Sequence, residues 1–339
     1  MDEFGISKYS KDNGWELIPY NDLFQAKSIC DIVINPNNTN QIFATSYFSG
    51  LLKIEGDNIE LFNNTNTGSN GLESISTGNP SYVDIRVNSP AFDKNGNLWV
   101  TNVTNTGNYK SIKTLQTNGQ WQSYGIADVT ADDFGRFGPM SIDKNRTKWI
   151  PSINDGLIAF NENYSNKFIV INSTTGNLPD NDVRCVAVDN RNQLWIGTFA
   201  GLRILSSVDR FVSSNELTTT PIIIQEGDLA QELFYQQTIL DIAVDGANRK
   251  WVSIADGGVF LVSSDGQETI YRFTKNNSPL PSDNINDIEI DGASGEVFFA
   301  TDKGMVSFLG TSTKPSDSLS DVFVYPNPVR PEFVGTVKI

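Results

Sequence analysis

Histidine is missing altogether from the 339 residues. That single absence removes a Ser-His-Asp triad, a Cys-His dyad, a His-ligated zinc and an imidazole acid or base. Cysteine is nearly missing: Cys30 and Cys185 are too few for a disulfide framework. Both stand in apolar strand patterns, where buried, unreactive thiols are expected. Positive charge is short as well. The 25 Lys and Arg against 40 Asp and Glu leave a net charge of −15, which disfavours non-specific attraction to nucleic-acid phosphates or anionic membranes. No run approaches the roughly 18 apolar residues that cross a bilayer as a helix, so no transmembrane segment is expected in this chain. Met1-Asp2-Glu3-Phe4 has neither the basic nor the apolar character of a signal peptide. Glycine-rich phosphate motifs of the Walker or dinucleotide type are absent. No cofactor, resident metal or nucleic-acid partner is expected.

What is present is glycine, asparagine and aromatics: 27 Gly, 20 Phe, 10 Tyr and 6 Trp. That balance predicts an all-β chain of short strands and many turns. An internal repeat organises it. Val183 to Asp189 leads to Leu194-Trp195-Ile196-Gly197-Thr198 and then Gly201-Leu202. Related runs lead from Asp93 to Trp99, from Asp143 to Trp149 and from Asp245 to Trp251, always over the same interval. Weaker copies run from Ile29 through Asn35 to Phe43, and from Ile285 through Asp291 to Phe298 and Phe299. The turn residues Asn35, Asp93, Asp143, Asp189, Asp245 and Asp291 are spaced 58, 50, 46, 56 and 46 apart. A unit of about 50 residues fits a four-stranded propeller blade better than a helical or leucine-rich repeat.

Within each unit, alternation with period two marks a strand before the turn. The turn Asp closes a hairpin by satisfying local amides. Trp99, Trp149, Trp195 and Trp251, with Phe298 as substitute, form the blade signature and are expected to pack between neighbouring blades. Val33, Ala91, Ser141, Ala187, Ala243 and Glu289, mostly small, are read as relieving crowding near the axis. A third strand follows each Gly-Leu step, and a fourth is aromatic or β-branched. The N-terminus has this second half alone, Gly5-Ile6 to Tyr9 and Gly14-Trp15 to Tyr20. The strand around Trp15–Tyr20 is therefore expected to complete the last blade, closing a ring of six blades, or seven if the extra half-blade counts. The predicted domains are a propeller over 1–310 and, over 311–339, a linker with the start of a β-sandwich.

Few residues suggest chemistry. The Asp93-Lys94-Asn95-Gly96-Asn97 loop lacks the terminal Glu of a calcium loop and reads as a hairpin turn. Asp31, Asp241 and Asp287 share one repeat position, where the other copies carry Ser89, Pro139 and Cys185. They are candidates either for capping backbone groups at strand starts or for contacting a ligand or ion at the axis. Arg184, Arg203, Arg210 and Arg249 are candidate anion contacts. No spacing among the acids singles out the carboxylate pair of a glycosidase. No catalytic residue is predicted.

The run Leu178-Pro179-Asp180-Asn181-Asp182-Val183, with Leu194-Trp195-Ile196-Gly197-Thr198 and Gly201-Leu202, resembles the two-component-regulator propeller repeat. Leu280-Pro281-Ser282-Asp283-Asn284-Ile285 repeats its linker half. Val324-Tyr325-Pro326-Asn327-Pro328-Val329, running into Gly335–Ile339, resembles the opening of the C-terminal sorting domain of type IX secretion cargo. With Thr220-Pro221 and Ala243–Trp251, it makes the chain similar to the PorZ-like surface components of that machinery. The resemblance implies an exported Bacteroidota protein, in the periplasm or on the cell surface, and a fragment of a larger chain. It also implies a non-catalytic role with a protein partner, the sortase, and a surface glycan, anionic lipopolysaccharide. A periplasmic oligosaccharide-sensing propeller of a hybrid two-component regulator is the alternative, and a glycan-acting enzyme a further one.

Overall fold

The computed structural model describes residues 4–10, 13–75, 79, 82–105, 110–127, 136–226 and 229–314. The expected sorting-domain residues, Val324 to Ile339, lie outside the described residues. The regular secondary structure of the described chain is nearly all strand, as expected. A first hairpin pairs β1 (Ile6–Ser10) with β2 (Gly14–Ile18). Six antiparallel sheets follow as propeller blades. Blade 1 holds β3 (Ile29–Ile34), β4 (Gln41–Ser46), β5 (Gly50–Glu55) and β6 (Asn58–Phe62). Blade 2 holds β7 (Arg86–Phe92), β8 (Leu98–Val103), β9 (Ile112–Leu115) and β10 (Trp121–Tyr124). Blade 3 holds β11 (Ser141–Ile142), β12 (Lys148–Ser152), β13 (Gly156–Asn161) and β14 (Lys167–Ile171). Blade 4 holds β15 (Val183–Val188), β16 (Leu194–Thr198) and β17 (Gly201–Leu205). A bridge from Ile204 to Thr220 extends it. The inserted hairpin of β18 (Ile223–Glu226) and β19 (Leu229–Glu232) comes next. Blade 5 holds β20 (Ile239–Val244), β21 (Lys250–Ile254), β22 (Gly258–Val262) and β23 (Thr269–Phe273). Blade 6 holds β24 (Ile285–Ile290), β25 (Glu296–Thr301) and β26 (Gly304–Leu309).

The repeat interval has a structural cause. In the Asp-led turns of blades 2 to 5 one carboxylate oxygen accepts two backbone N–H groups, as Asn95 and Asn97 onto Asp93 and Asn145 and Thr147 onto Asp143. The other oxygen accepts the indole Nε1–H six residues on, Trp99 at 3.0 Å and Trp149 at 3.1 Å. Turn and aromatic are thus held as one unit, an Asx-type closure extended by a side-chain bond. In blades 4 and 5 the second oxygen turns elsewhere, Asp189 to Lys250 and Asp245 to Arg249.

The aromatics do pack between blades. Trp149 shares a buried cluster with Val186, Leu194 and Ile196 of the next blade. Trp195 does so with Ile239, Ile242 and Val252, and Trp251 with Ile285, Ile288 and Phe299. The small residues of the inner strands each face a large neighbour. Val33 pairs with Phe43, Ala91 with Trp99, Ser141 with Trp149, Ala187 with Trp195 and Ala243 with Trp251. Each is the cross-strand neighbour of the large ring, and its small side chain leaves room for the ring on that face.

Two lysines that sequence reasoning did not single out belong to this frame. Lys148 and Lys250 directly precede a signature Trp and are fully buried. Their ammonium groups sit over the preceding blade's Trp, Lys148 at 3.6 Å from the Trp99 ring centroid and Lys250 at 4.5 Å from Trp195. Lys148 also pairs with Glu162, and Lys250 with Asp189 at 2.8 Å. Burial pushes both lysines below the usual ammonium range while the carboxylates pull them back.

The segment expected to complete the last blade behaves otherwise. Among the described strands β2 pairs only with β1, and β24–β25–β26 form a three-stranded sheet. The cysteines differ from expectation too. Cys185 is buried but Cys30 is exposed, because it occupies an irregular position at the start of β3. Its thiol still contacts Thr45 Oγ1 at 3.3 Å, and desolvation raises it to about 11, so it remains protonated.

Two outcomes test this frame. Trp149→Ala should destabilise the protein by about 3–5 kcal/mol, the cost of a large buried cavity, measured by denaturant unfolding. Asp189→Ala should cost about 3–5 kcal/mol because it strands the Lys250 charge between blades. The double change Asp189→Asn with Lys250→Met should recover a large part of that loss.

Candidate functional site

All six inner strands carry one extra residue near their start relative to their partner strand. Ile29 and Asp31 pair with adjacent Ser46 and Thr45, so Cys30 is the inserted residue. The same offset inserts Arg184, Leu240 and Asn286 in blades 4, 5 and 6. In blade 2 it falls between Asn88 and Ala91, and in blade 3 between the Phe137–Ser152 bridge and Ser141. A β-bulge breaks the alternation and re-aims a side chain. In blades 4, 5 and 6 the inserted residues Arg184, Leu240 and Asn286 come together at the axial mouth. There Phe137, Gly138, Val183, Arg184, Leu240 and Asn286 line a cavity of about 240 Å³.

Arg184 is the cation of that mouth. Its guanidinium donates to Asp182 at 2.7 Å and lies 5.5 Å from the Phe199 ring centroid. A second arginine stands at the start of an inner strand. Arg86 donates to Asp84 at 2.8 Å and covers Tyr47 and Phe48 at 5.2 and 5.7 Å. Its pairing with Asp84 raises it further above the ordinary guanidinium range. Phe199, Tyr82 and Tyr235 are exposed in the connections at this same end of the blades. The mouth therefore offers a planar cation beside an aromatic face, an arrangement suited to carboxylate, phosphate and ring-shaped ligands.

The other candidate arginines lie elsewhere. Arg203 is held by Glu232 at 2.9 Å and by the Asn177 and Leu202 carbonyls. Arg249 is bound to Asp245 at the opposite, turn end, and Arg210 is exposed on a short helix, α1 (Arg210–Ser213). No single patch gathers the four.

The acids at the next repeat position are brought together electrostatically. Asp241 accepts the Ile288 N–H of the following blade at 2.8 Å, and Asp31 accepts the Ile32 N–H at 2.8 Å. Both therefore accept a backbone N–H within an inner strand, Asp31 in its own and Asp241 in the next blade's. Desolvation, assisted by the Asp287 and Glu289 charges, raises Asp241 to about 8, and desolvation chiefly raises Asp31 to about 7. Asp287 and Glu289 are solvent-accessible yet deep in the ring, and surrounding protein raises both. Among the described residues no group of three His, Cys, Asp or Glu has the closeness of a metal site. Of the inserted residues the sequence singled out only Arg184, and the shared bulge went unseen because the period-two pattern slips at that one position.

Comparison with known proteins agrees with this architecture. Residues 177–200 match the two component regulator propeller model. The structure is similar to PorZ, an essential bacterial surface component of the type-IX secretion system of Porphyromonas gingivalis. The identity is 24% and the TM-score 0.78, covering 98% of this chain and 46% of that one. It is also similar to the extracellular domain of BT4673 from B. thetaiotaomicron, described as a hybrid two component system. There the identity is 16% and the TM-score 0.50, over 90% of this chain and 40% of that one. The chain thus spans less than half the length of either, and the likeness is one of fold. No curated protein matches the sequence.

A raised carboxylate makes folding favour the protonated form. Its stabilising proton is fully held below the unfolded value near 4 and is lost as pH rises through the folded value. Asp241→Asn should therefore gain on the parent protein as pH climbs from 5 through about 8. A gain of about 2–4 °C in Tm for each kcal/mol relieved is the readout, with the two proteins converging toward pH 4.

Proposed function

We propose that this propeller is a non-catalytic recognition and scaffold domain, a PorZ-like component of type IX protein secretion and cargo attachment. On this reading it is exported and works in the periplasm or at the outer-membrane surface. Its partners are an anionic surface glycan of the lipopolysaccharide type, the sortase of the same machinery, or both. The observation that carries the reading is the axial mouth, where Arg184 lies against Phe199 among the bulged residues of four blades. A rigid ring presenting a guanidinium beside exposed aromatics recognises an acidic sugar without making or breaking a bond. The chain's net charge of −15 leaves selectivity to such local groups, since the long-range field repels polyanions. The fold likeness to PorZ over 98% of the chain supports the setting.

Titration with purified anionic lipopolysaccharide and, separately, with purified sortase tests this. Saturable binding of either is expected. Arg184→Ala should weaken glycan binding about tenfold or more, the equivalent of one charge-assisted hydrogen bond, with Tm unchanged. Absence of binding to both would overturn the reading.

A further inference from the structure

Where one blade faces the next, two rows of side chains meet. The leading blade contributes the row that carries its signature aromatic, and the following blade the row that begins just before its own turn. Across blades 3 and 4 these rows are Ser141, Trp149, Ala159 and Ile169 against Val188, Leu194 and Leu205. Trp149, fully buried, fills much of that interface. From blade 2 to 3 and from blade 4 to 5, the Trp is joined by a buried lysine of the facing row, Lys148 over Trp99 and Lys250 over Trp195.

Between blades 1 and 2 both fillers are missing. The leading row is Val33, Phe43, Lys53 and Glu60, and the facing row is Phe92, Leu98 and Leu115. Phe43 stands in the Trp position and Leu98 in the Lys position. The space left over is a cavity of about 510 Å³, walled by Phe43, Phe62, Phe92, Leu98 and Leu115, a size usual for small-molecule sites. Packing holds the walls in place. Phe43 meets Phe92 edge to face at 5.8 Å, and Phe62 meets Trp121 at 6.0 Å.

The turn end of the cavity is polar, lined by Asn35 and Gln41. In blades 2 and 3 the turn carboxylate accepts the indole N–H of the signature Trp. Asn35 holds that turn position in blade 1, and Phe43 has no N–H to give it. Asn35 Oδ1 accepts the Asn37 N–H at 2.9 Å, and the Asn35 amide donates to Gln41 Oε1 at 2.8 Å. Each of these two carbonyl oxygens keeps a second lone pair. The side wall carries charge. Lys53 is shared between Glu60 at 3.6 Å and Glu55 at 3.7 Å, so two carboxylates face one ammonium and an anionic ligand is disfavoured. Turns of both blades converge here, since a Cβ on Gly96 would come within 2.7 Å of Asn37 Nδ2 and 3.3 Å of Thr117 Cγ2. An aromatic side chain of a partner would have to bring its backbone past these turns, whereas a free molecule would not.

We propose that the cleft between blades 1 and 2 binds a free indole-type molecule, a planar aromatic ring with an N–H donor and no negative charge. The ring takes the place that Trp takes in blades 2 to 5, between Phe43 and the wall of Phe92, Leu98 and Leu115. Its N–H donates to the carbonyl of Asn35 or Gln41, and the apolar area it buries supplies the affinity. The cleft lies at the turn end, away from the axial mouth, so it does not depend on glycan or sortase recognition.

Titration of the full chain with indole, followed by ligand-observed NMR, tests this. Saturable binding is expected, weakened about threefold or more for 1-methylindole, which lacks the N–H. Phe43→Trp supplies the ring from the chain itself. It should weaken indole binding about tenfold or more and raise Tm by about 1–4 °C. Thr117→Trp, at an exposed position of the rim, should also weaken indole binding with Tm unchanged, and it decides the matter if Phe43→Trp does not fold. Absence of saturable indole binding, equal binding of 1-methylindole, or indole binding that persists in the folded variants would overturn the proposal.

Discussion

The whole architecture hangs on one contact repeated round the ring: a large ring on the second strand of a blade, laid over the inner strand of the next. Area alone makes it strong, since a buried Trp removes more apolar surface from water than any other side chain. Geometry makes it repeatable. The indole is tied to its turn carboxylate in blades 2 and 3, and its cross-strand neighbour is small enough to leave the ring room. Stability in such a chain is a sum of nearest-neighbour terms. A blade with no successor among the described residues therefore leaves its aromatic half-wet, which is the condition of Phe298.

Charge is fitted into that frame rather than kept out of it. Lys148 and Lys250 bring ammonium groups into the blade interfaces, where an ion pair has to replace hydration. Each finds a carboxylate and an aromatic face together. The Trp195 and Trp251 indole N–H groups have no partner among the described residues, and in those blades the turn carboxylates are engaged by Lys250 and Arg249 instead. One acceptor serves either the ring's N–H or a cation.

The repeat, the strand order and the blade interfaces were legible because each is written in spacing. A fixed Asp-to-Trp interval and period-two alternation survive wide sequence change. What spacing cannot carry was missed. The inserted residue at each inner strand shifts the register by one, so spacing left Arg184 as one of four scattered candidate anion contacts and did not mark it as the one the fold brings to the mouth. The β18–β19 insertion has no counterpart in the other repeats, so periodicity gave no warning of it. Asp31, Asp241 and Asp287 were visible as a column, and both alternatives for them concerned the same end of the strands. The Asp241 bond to Ile288 became evident only once two blades were side by side.

That bond bears on what the axis can do. A carboxylate held above its normal range by burial, and already accepting a backbone N–H, is a poor cation ligand until it loses its proton and its amide partner. Asp241 meets that description and stitches blade 5 to blade 6, whereas Asp31 accepts an N–H within its own strand. The bulge residues one position earlier carry no such duty in Arg184, Leu240 and Asn286. Their side chains vary in charge and size where the frame does not depend on them. On the proposed function, recognition and construction occupy adjacent positions of the same strand, the recognition position being the inserted residue itself.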